Sequence, residues 1–371
     1  MANRVKEVEK SATPRVAHLI VGLSQGGAEQ SLKRLVTTST DQHWVLCIGG
    51  PTPISRNIAD SGVDVFHFKP WNLLAITKLL RKLGPDIVQG WMYYGNFLAS
   101  LCTWLGRGKW QTVWNIRNAY SLAEMSFKIR TVVRLSRWLP KDLVISNSFS
   151  GLERLNLTGK VIDNGINVEK YHPDADARAK HRADLGVGDE IRLVALVSRY
   201  HVNKGLMEFL SLRKHLSAEH KLVLIGRGMS PDNLQLLRLA EQAGVDLSSS
   251  GIICLGERLD LDQLYSALDL LVVASYHEGS PNAMLEAMAC GVTVVGTDVG
   301  DVARIIDDPN RVCESRDAEG LRAVVSHGLQ HLGEFSTRDR QRIVEEFDSR
   351  RFVAAYADVY RQLLSTAESI A

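Results

Sequence analysis

Nowhere in the 371-residue chain do apolar residues run for the roughly 20 positions a membrane-spanning helix needs, and the opening MANRVKEVEKSATP holds no apolar signal core. These absences predict a cytoplasmic protein with at most peripheral membrane contact. The five cysteines, Cys47, Cys102, Cys254, Cys290 and Cys313, are far apart, odd in number and without metal-type spacing. Buried free thiols in a reducing compartment, and no metal site, are the expectation. The Gly-x-Gly-x-x-Gly fingerprint is missing, which argues against a dinucleotide oxidoreductase. A net charge of only +2 gives no reason to invoke nucleic acid as a partner. What is abundant is core material: 45% of residues are hydrophobic and 23% charged, so disorder is not the expected state.

The length suits two domains. After a leader at residues 1–13, apolar runs alternate with amphipathic segments, the pattern of parallel α/β units. Strands are expected at Arg15–Val21, Trp44–Ile48, Asp64–Phe68, Ile87–Gly90, Gln111–Trp114 and Leu143–Ser146, with helices at Ala28–Thr38, Leu73–Leu83, Asn96–Leu105 and Leu122–Trp138. Tyr171-His172-Pro173-Asp174 begins a polar, low-periodicity linker, and the alternation restarts with a strand at Ile191–Ser198. The reading is thus α/β, with two domains at 1–170 and 171–371. A closing helical segment at Arg340–Ser365 is placed to pack back on the first domain. Two open parallel sheets bind ligands at their strands' carboxyl ends, which points to the cleft between them.

Charge is unevenly spread. From Leu101 to Lys141 there are eight basic residues against Glu124 alone. In the helix expected at Leu122–Trp138, Phe127, Ile129, Val132, Val133, Leu135, Ser136 and Leu139 form a broad apolar face, with Lys128, Arg130, Arg134 and Arg137 around the rest. A solvated helix face and an anionic membrane or phosphorylated acceptor fit this equally.

Three stretches carry chemistry. Gly26-Gly27-Ala28-Glu29 lies between a strand and a helix, where paired glycines serve a tight turn or let an anion approach free N–H groups. Arg199 follows a buried strand and Lys204 precedes a helix. They are either loop-capping surface cations or a pair that neutralises a departing diphosphate. The richest segment is Ser275 to Ala289. Glu278 ends a strand turn, Gly279-Ser280-Pro281-Asn282 opens a helix, and Glu286 falls within a face of Ala, Met and Leu, where a carboxylate needs a partner. His277 reads as a loop-shaping residue before a general base, and Asp260 as a helix cap before a metal ligand.

Together these stretches resemble the retaining glycosyltransferases of family 4, with the GT-B fold of two facing Rossmann-like domains. The resemblance covers nearly the whole chain and rests on Glu278 and Glu286 as the glutamate, seven residues, glutamate motif. It also rests on Leu285 to Gly291, Arg199 with Lys204-Gly205, Gly26 to Glu29, and Asn164-Gly165-Ile166-Asn167. It implies that 1–170 is the acceptor side and 171–371 the nucleotide-sugar side, that Arg199 and Lys204 hold the donor diphosphate, and that Glu278 contacts the transferred sugar. It further implies that Gly279, Ser280, Pro281 and Asn282 surround phosphates and sugar, that Glu286 accepts from the ribose, and that Gly256 and Arg258 border the base. Gly26 and Gly27 approach from the other domain. Where many relatives have a histidine after the fifth strand, this chain has Asn115-Ile116-Arg117-Asn118, so Arg117 or Asn118 is expected to supply that polar contact.

The implied reaction is transfer of a hexose or N-acetylhexosamine from a nucleotide sugar, UDP-linked by preference, to a lipid-linked or soluble saccharide acceptor, with no cofactor or metal. Trp91-Met92-Tyr93-Tyr94 after a strand end lines either a carbohydrate or lipid route or a packed core edge. With the basic segment it makes a polyprenyl-diphosphate-linked sugar, at the inner face of the cell membrane in surface-polysaccharide or lipopolysaccharide assembly, the preferred acceptor. A sugar epimerase and a non-catalytic sugar-nucleotide sensor remain the alternatives.

Overall fold

The computed structural model of the chain describes residues 13–24, 26–69 and 72–370. The expected leader, apart from Thr13, lies outside them, as does Gln25 of the glycine turn. Among the described residues two all-parallel sheets form. The first holds β1 (Arg15–Ile20), β2 (Gln42–Ile48), β3 (Asp64–Phe68), β4 (Ile87–Trp91), β5 (Gln111–Ile116), β6 (Leu143–Ser146) and β7 (Lys160–Val161), in the order β3-β2-β1-β4-β5-β6-β7. The second holds β8 (Arg192–Val197), β9 (His220–Ile225), β10 (Ile252–Gly256), β11 (Leu270–Val273), β12 (Thr293–Thr297) and β13 (Val312–Cys313), in the order β10-β9-β8-β11-β12-β13. Strand order reverses at β1/β4 and at β8/β11, and there the carboxyl ends part to leave a crevice.

Helices cover both faces of each sheet, so the strands read as nearly unbroken apolar runs. Along β1 the side chains alternate. Val16 and Ile20 pack with Leu32, Leu35 and Val36 of the helix Gly27–Thr38, while Ala17 and Leu19 pack with Ile76, Leu80 and Ala99 on the other side. The chain's end joins the first of these layers. It forms two helices, Leu332–Glu346 and Ser349–Ile370, interrupted where Asp348 bridges to Ile166. Past that break Phe352, Tyr356 and Tyr360 are buried against the first sheet, and Tyr360 donates to Gln89 at 2.7 Å.

Three expectations are corrected. The polar linker after Tyr171 is instead a helix, Ala175–Asp184, started by Asp174, whose carboxylate accepts from the Ala177 N–H at 2.9 Å. It lacks an apolar stripe because ion pairs anchor it: Arg178 and Arg182 reach Asp269 at 2.9 and 3.2 Å. The helix expected at Leu122–Trp138 spans only Phe127–Ser136, and its apolar residues divide: Val133 is buried, whereas Phe127 and Leu135 point outward and Trp138, two residues beyond, is 90% exposed. Asp260 does not cap the following helix with its side chain; it accepts from Arg258 Nε at 2.8 Å. No helix among the described residues is long and apolar enough to cross a membrane.

Candidate active site

The carboxyl ends of both sheets open on one cavity of about 430 Å³. From the first domain, the chain after β1 enters the helix Gly27–Thr38 through Gly26, with no side chain capping that helix. A Cβ on Gly27 would stand 3.2 Å from Asn282 Nδ2 of the second domain, so glycine keeps this crossing narrow. From the second domain the helix Asn282–Ala289 starts at Pro281, again without a side-chain cap. Two helix starts with free N–H groups therefore face one space, a field that favours an anion.

Cations flank it. Arg199 follows β8 and Lys204 ends the short turn Val202–Lys204. Gly205 then takes φ +59°, and a Cβ there would lie 1.8 Å from the Ala274 carbonyl oxygen; only glycine permits the turn that aims Lys204 inward. Lys204 Nζ pairs with Glu278 Oε1, which also accepts from Ser275 Oγ at 2.7 Å. The carboxylate is thus fixed before any ligand arrives.

Glu286 has found the partner its apolar helix face demands. Tyr265 donates to Oε2 at 3.1 Å. Desolvation pushes its carboxyl above the ordinary range, opposed first by the charge of Arg34 and then by hydrogen bonds from Tyr265 and Tyr171. Arg34, from the first domain, also donates to the Gly165 carbonyl. Several buried polar atoms in the same region have no partner among the described residues, including Asn147 Oδ1, Ser280 Oγ and Asn282 Oδ1. Unpaired polar atoms around a cavity are the mark of a site built for a polar ligand.

Arg117 requires a correction. It touches the cavity, yet the residue is only 9% exposed and its guanidinium is turned into the protein. It donates to Ser31 Oγ at 2.7 Å, to Asn164 Oδ1 and to the Tyr356 hydroxyl at 3.2 Å, and it lies over the rings of Trp91 and Phe352. Asn164 in turn donates to the Ser280 carbonyl at 2.7 Å, in the second domain. Arg117 therefore braces the junction of the domains. Asn118 is also engaged, accepting from the Tyr93 hydroxyl.

The remaining candidates divide. Gly26, Gly27, Ser280, Pro281, Asn282 and Arg258 lie on the main cavity; Gly279 lines a small recess of about 70 Å³ beside it, and Gly256 lies off the wall. His277 Nε2 reaches Glu124 Oε1 of the first domain at 3.0 Å, a strap across the cleft. Trp91 to Tyr94 line a second cavity, and Arg199 lines both. Sequence reasoning missed Arg34, Asn147 and Tyr265. Of these only Asn147, a polar residue just past the end of β6, carried a readable signal.

Residues 191–331 match the family model described as glycosyl transferases group 1. The crystal structure of Anabaena HepE in complex with UDP-glucose is similar to the whole chain, with a TM-score of 0.81 at 19% identity over 96% of this chain and 99% of that one. By sequence, N-acetyl-alpha-D-glucosaminyl L-malate synthase of Bacillus anthracis is 24% identical over 227 residues, 57% of this chain and 58% of that enzyme. N,N'-diacetylbacillosaminyl-diphospho-undecaprenol alpha-1,3-N-acetylgalactosaminyltransferase of Campylobacter jejuni is 23% identical over 322 residues, 79% of this chain and 82% of that enzyme. The chain spans 56–58% of the length of the first curated relatives it matches. Over residues 191–331 the chain is therefore similar to the group 1 glycosyl transferases, and it has the two-domain GT-B fold.

Proposed function

We propose that the protein is a retaining glycosyltransferase that moves a hexose or N-acetylhexosamine from a UDP-sugar to a polyprenyl-diphosphate-linked saccharide. The observation that carries this reading is the convergence of Arg199, the Lys204–Glu278 pair and two uncapped helix starts, from opposite domains, on one cavity. HepE, similar across the chain, was crystallised with UDP and with UDP-glucose, which supports UDP as the carrier.

In this reading the bond from the sugar's anomeric carbon to the β-phosphate oxygen breaks as charge gathers on the phosphate. Arg199, Lys204 and the helix-start N–H groups stabilise that charge. Glu278, held by Lys204 and Ser275, orients the sugar hydroxyls, and Glu286 accepts from the ribose. The acceptor oxygen bonds to the carbon on the face the phosphate leaves, and its proton passes to the departing phosphate oxygen. Neither glutamate acts as a glycosidase-type acid or base. Arg117 is a positioning residue, holding Ser280 through Asn164.

The lipid-linked acceptor is supported by two observations. The Campylobacter relative's name specifies a diphospho-undecaprenol acceptor. Phe127, Leu135 and Trp138 are 74%, 53% and 90% exposed beside Lys128, Arg130, Arg134 and Arg137, a surface suited to an anionic bilayer. We place the enzyme there, at the inner face of the cell membrane. The test is product formation from UDP- and GDP-sugars with a polyprenyl-diphosphate-sugar acceptor. Label entering the lipid extract from a UDP-sugar is expected; donor consumption with no labelled lipid overturns the acceptor, and no donor binding overturns the reading.

A further inference from the structure

Beside the donor cavity a second cavity of about 410 Å³ opens at the carboxyl ends of the first domain's strands. Its first-domain wall sets Tyr93, Tyr94 and Tyr120 beside the carboxylates of Glu29 and Glu124, and Arg199, His201 and Asn203 enter from the second domain. The two carboxylates differ. Glu124 is balanced by His277 at 3.0 Å and by Arg154 at 3.4 Å, and hydrogen bonds and these charges hold it below the ordinary carboxyl range despite partial desolvation. Among the described residues no cation stands against Glu29; its carboxylate folds back over Gly26, where a Cβ would meet it at 2.2 Å. Desolvation pushes its carboxyl up, with only its own backbone N–H and Ser24 opposing.

Position gives this carboxylate a task. Gly26 lines the donor cavity, Glu29 lines the second, and Arg199 lines both. The passage between the cavities is thus framed by Glu29 on one domain and Arg199 on the other. An uncompensated carboxylate accepts hydrogen bonds from hydroxyls and repels a second anion, while tyrosine faces pack against the apolar face of a sugar ring. We infer that the second cavity holds an uncharged terminal sugar of the acceptor, with Glu29 accepting a hydrogen bond from one of its hydroxyls, and that acceptors ending in an acidic sugar are rejected there. The inference deepens the transferase reading and rests on it. Any phosphate of the acceptor must then lie outside this cavity.

The test is titration of the full chain, saturated with UDP, with octyl glycosides of a neutral hexose, an N-acetylhexosamine and a hexuronic acid, followed by the fluorescence of Trp91 and the tyrosines on the wall. A neutral glycoside is expected to bind, the hexuronide at least about tenfold more weakly, and Glu29→Gln to weaken the neutral one by about tenfold while narrowing that gap. Affinity for UDP should be unchanged. Tyr120→Ala should weaken all glycosides alike and keep their ratio. No saturable binding of either neutral glycoside, equal affinity for the hexuronide, or indifference to Glu29→Gln overturns the inference. If glycosides bind through Glu29 but UDP does not bind, the sugar site stands and the transferase reading falls.

Discussion

Arg117 of the first domain and Tyr356 of the last helix, 239 residues apart in sequence, share a hydrogen bond of 3.2 Å. The same hydroxyl accepts from Asn115 Nδ2 at 2.6 Å, so one buried oxygen satisfies the end of β5 and holds the returning helix to it. Tyr356→Phe leaves both donors without an acceptor and should lower unfolding free energy by about 1–3 kcal/mol. Urea denaturation measures it. A midpoint equal to wild type would show that the hydroxyl does not hold the helix.

Lys204 and Glu278 make up a single fixed pair, yet removing each should have a different effect. In the mechanism we propose, Lys204→Ala takes away charge aimed at the leaving diphosphate and should reduce turnover by about a hundredfold or more. Glu278→Gln keeps the shape and should preserve UDP affinity while impairing use of UDP-sugar. Steady-state kinetics beside UDP titration separate the two; equal loss of UDP affinity in both variants would contradict these roles.

The adjacent turn depends on glycine. With φ at +59° and the Ala274 carbonyl in the place of a Cβ, Gly205→Ala must shift the backbone. The expected cost exceeds about 1 kcal/mol, and UDP affinity should fall with it. Thermal melting with and without UDP reports both effects; a variant as stable as wild type would show that the turn tolerates a side chain.

A buried histidine pair predicts the acid limit of stability. Trp91 Nε1 donates to His18 Nδ1 at 3.1 Å, and His18 Nε2 meets His43 Nδ1 at 3.0 Å. That chain works with both rings neutral, because a proton on His18 Nδ1 would face the indole N–H. Burial lowers His18 well below its ordinary value and takes His43 from 6.5 to about 4. Between those limits the unfolded chain binds protons that the fold does not, so stability falls as pH drops from 6.5 toward 4. The slope should reach about 1.4 kcal/mol per pH unit for each histidine. His43→Gln should flatten that slope in urea melts at pH 7, 6 and 5; parallel curves would contradict it.

The strands were legible because buried parallel strands are apolar throughout, as in Val194 to Leu196, and glycine punctuates their ends. The same punctuation marked Arg199, Lys204 and Glu278, which the fold brings to one cavity. Elements held by charge were not legible: the helix Ala175–Asp184 depends on Asp269, about 90 residues away, and shows no apolar period of its own. Long-range partners were equally hidden. Nothing near Glu286 in sequence names Arg34 or Tyr265, and nothing near Arg117 shows that Ser31, Asn164 and Tyr356 gather its donors inward.

The most direct test of the central claim is the anomeric configuration of the first product formed from an α-linked UDP-sugar, read from its proton coupling constants by NMR. The account predicts an α-linked product, formed about a hundredfold or more slowly by Lys204→Ala. A β-linked product would contradict retention, and transfer undiminished in Lys204→Ala would contradict the site.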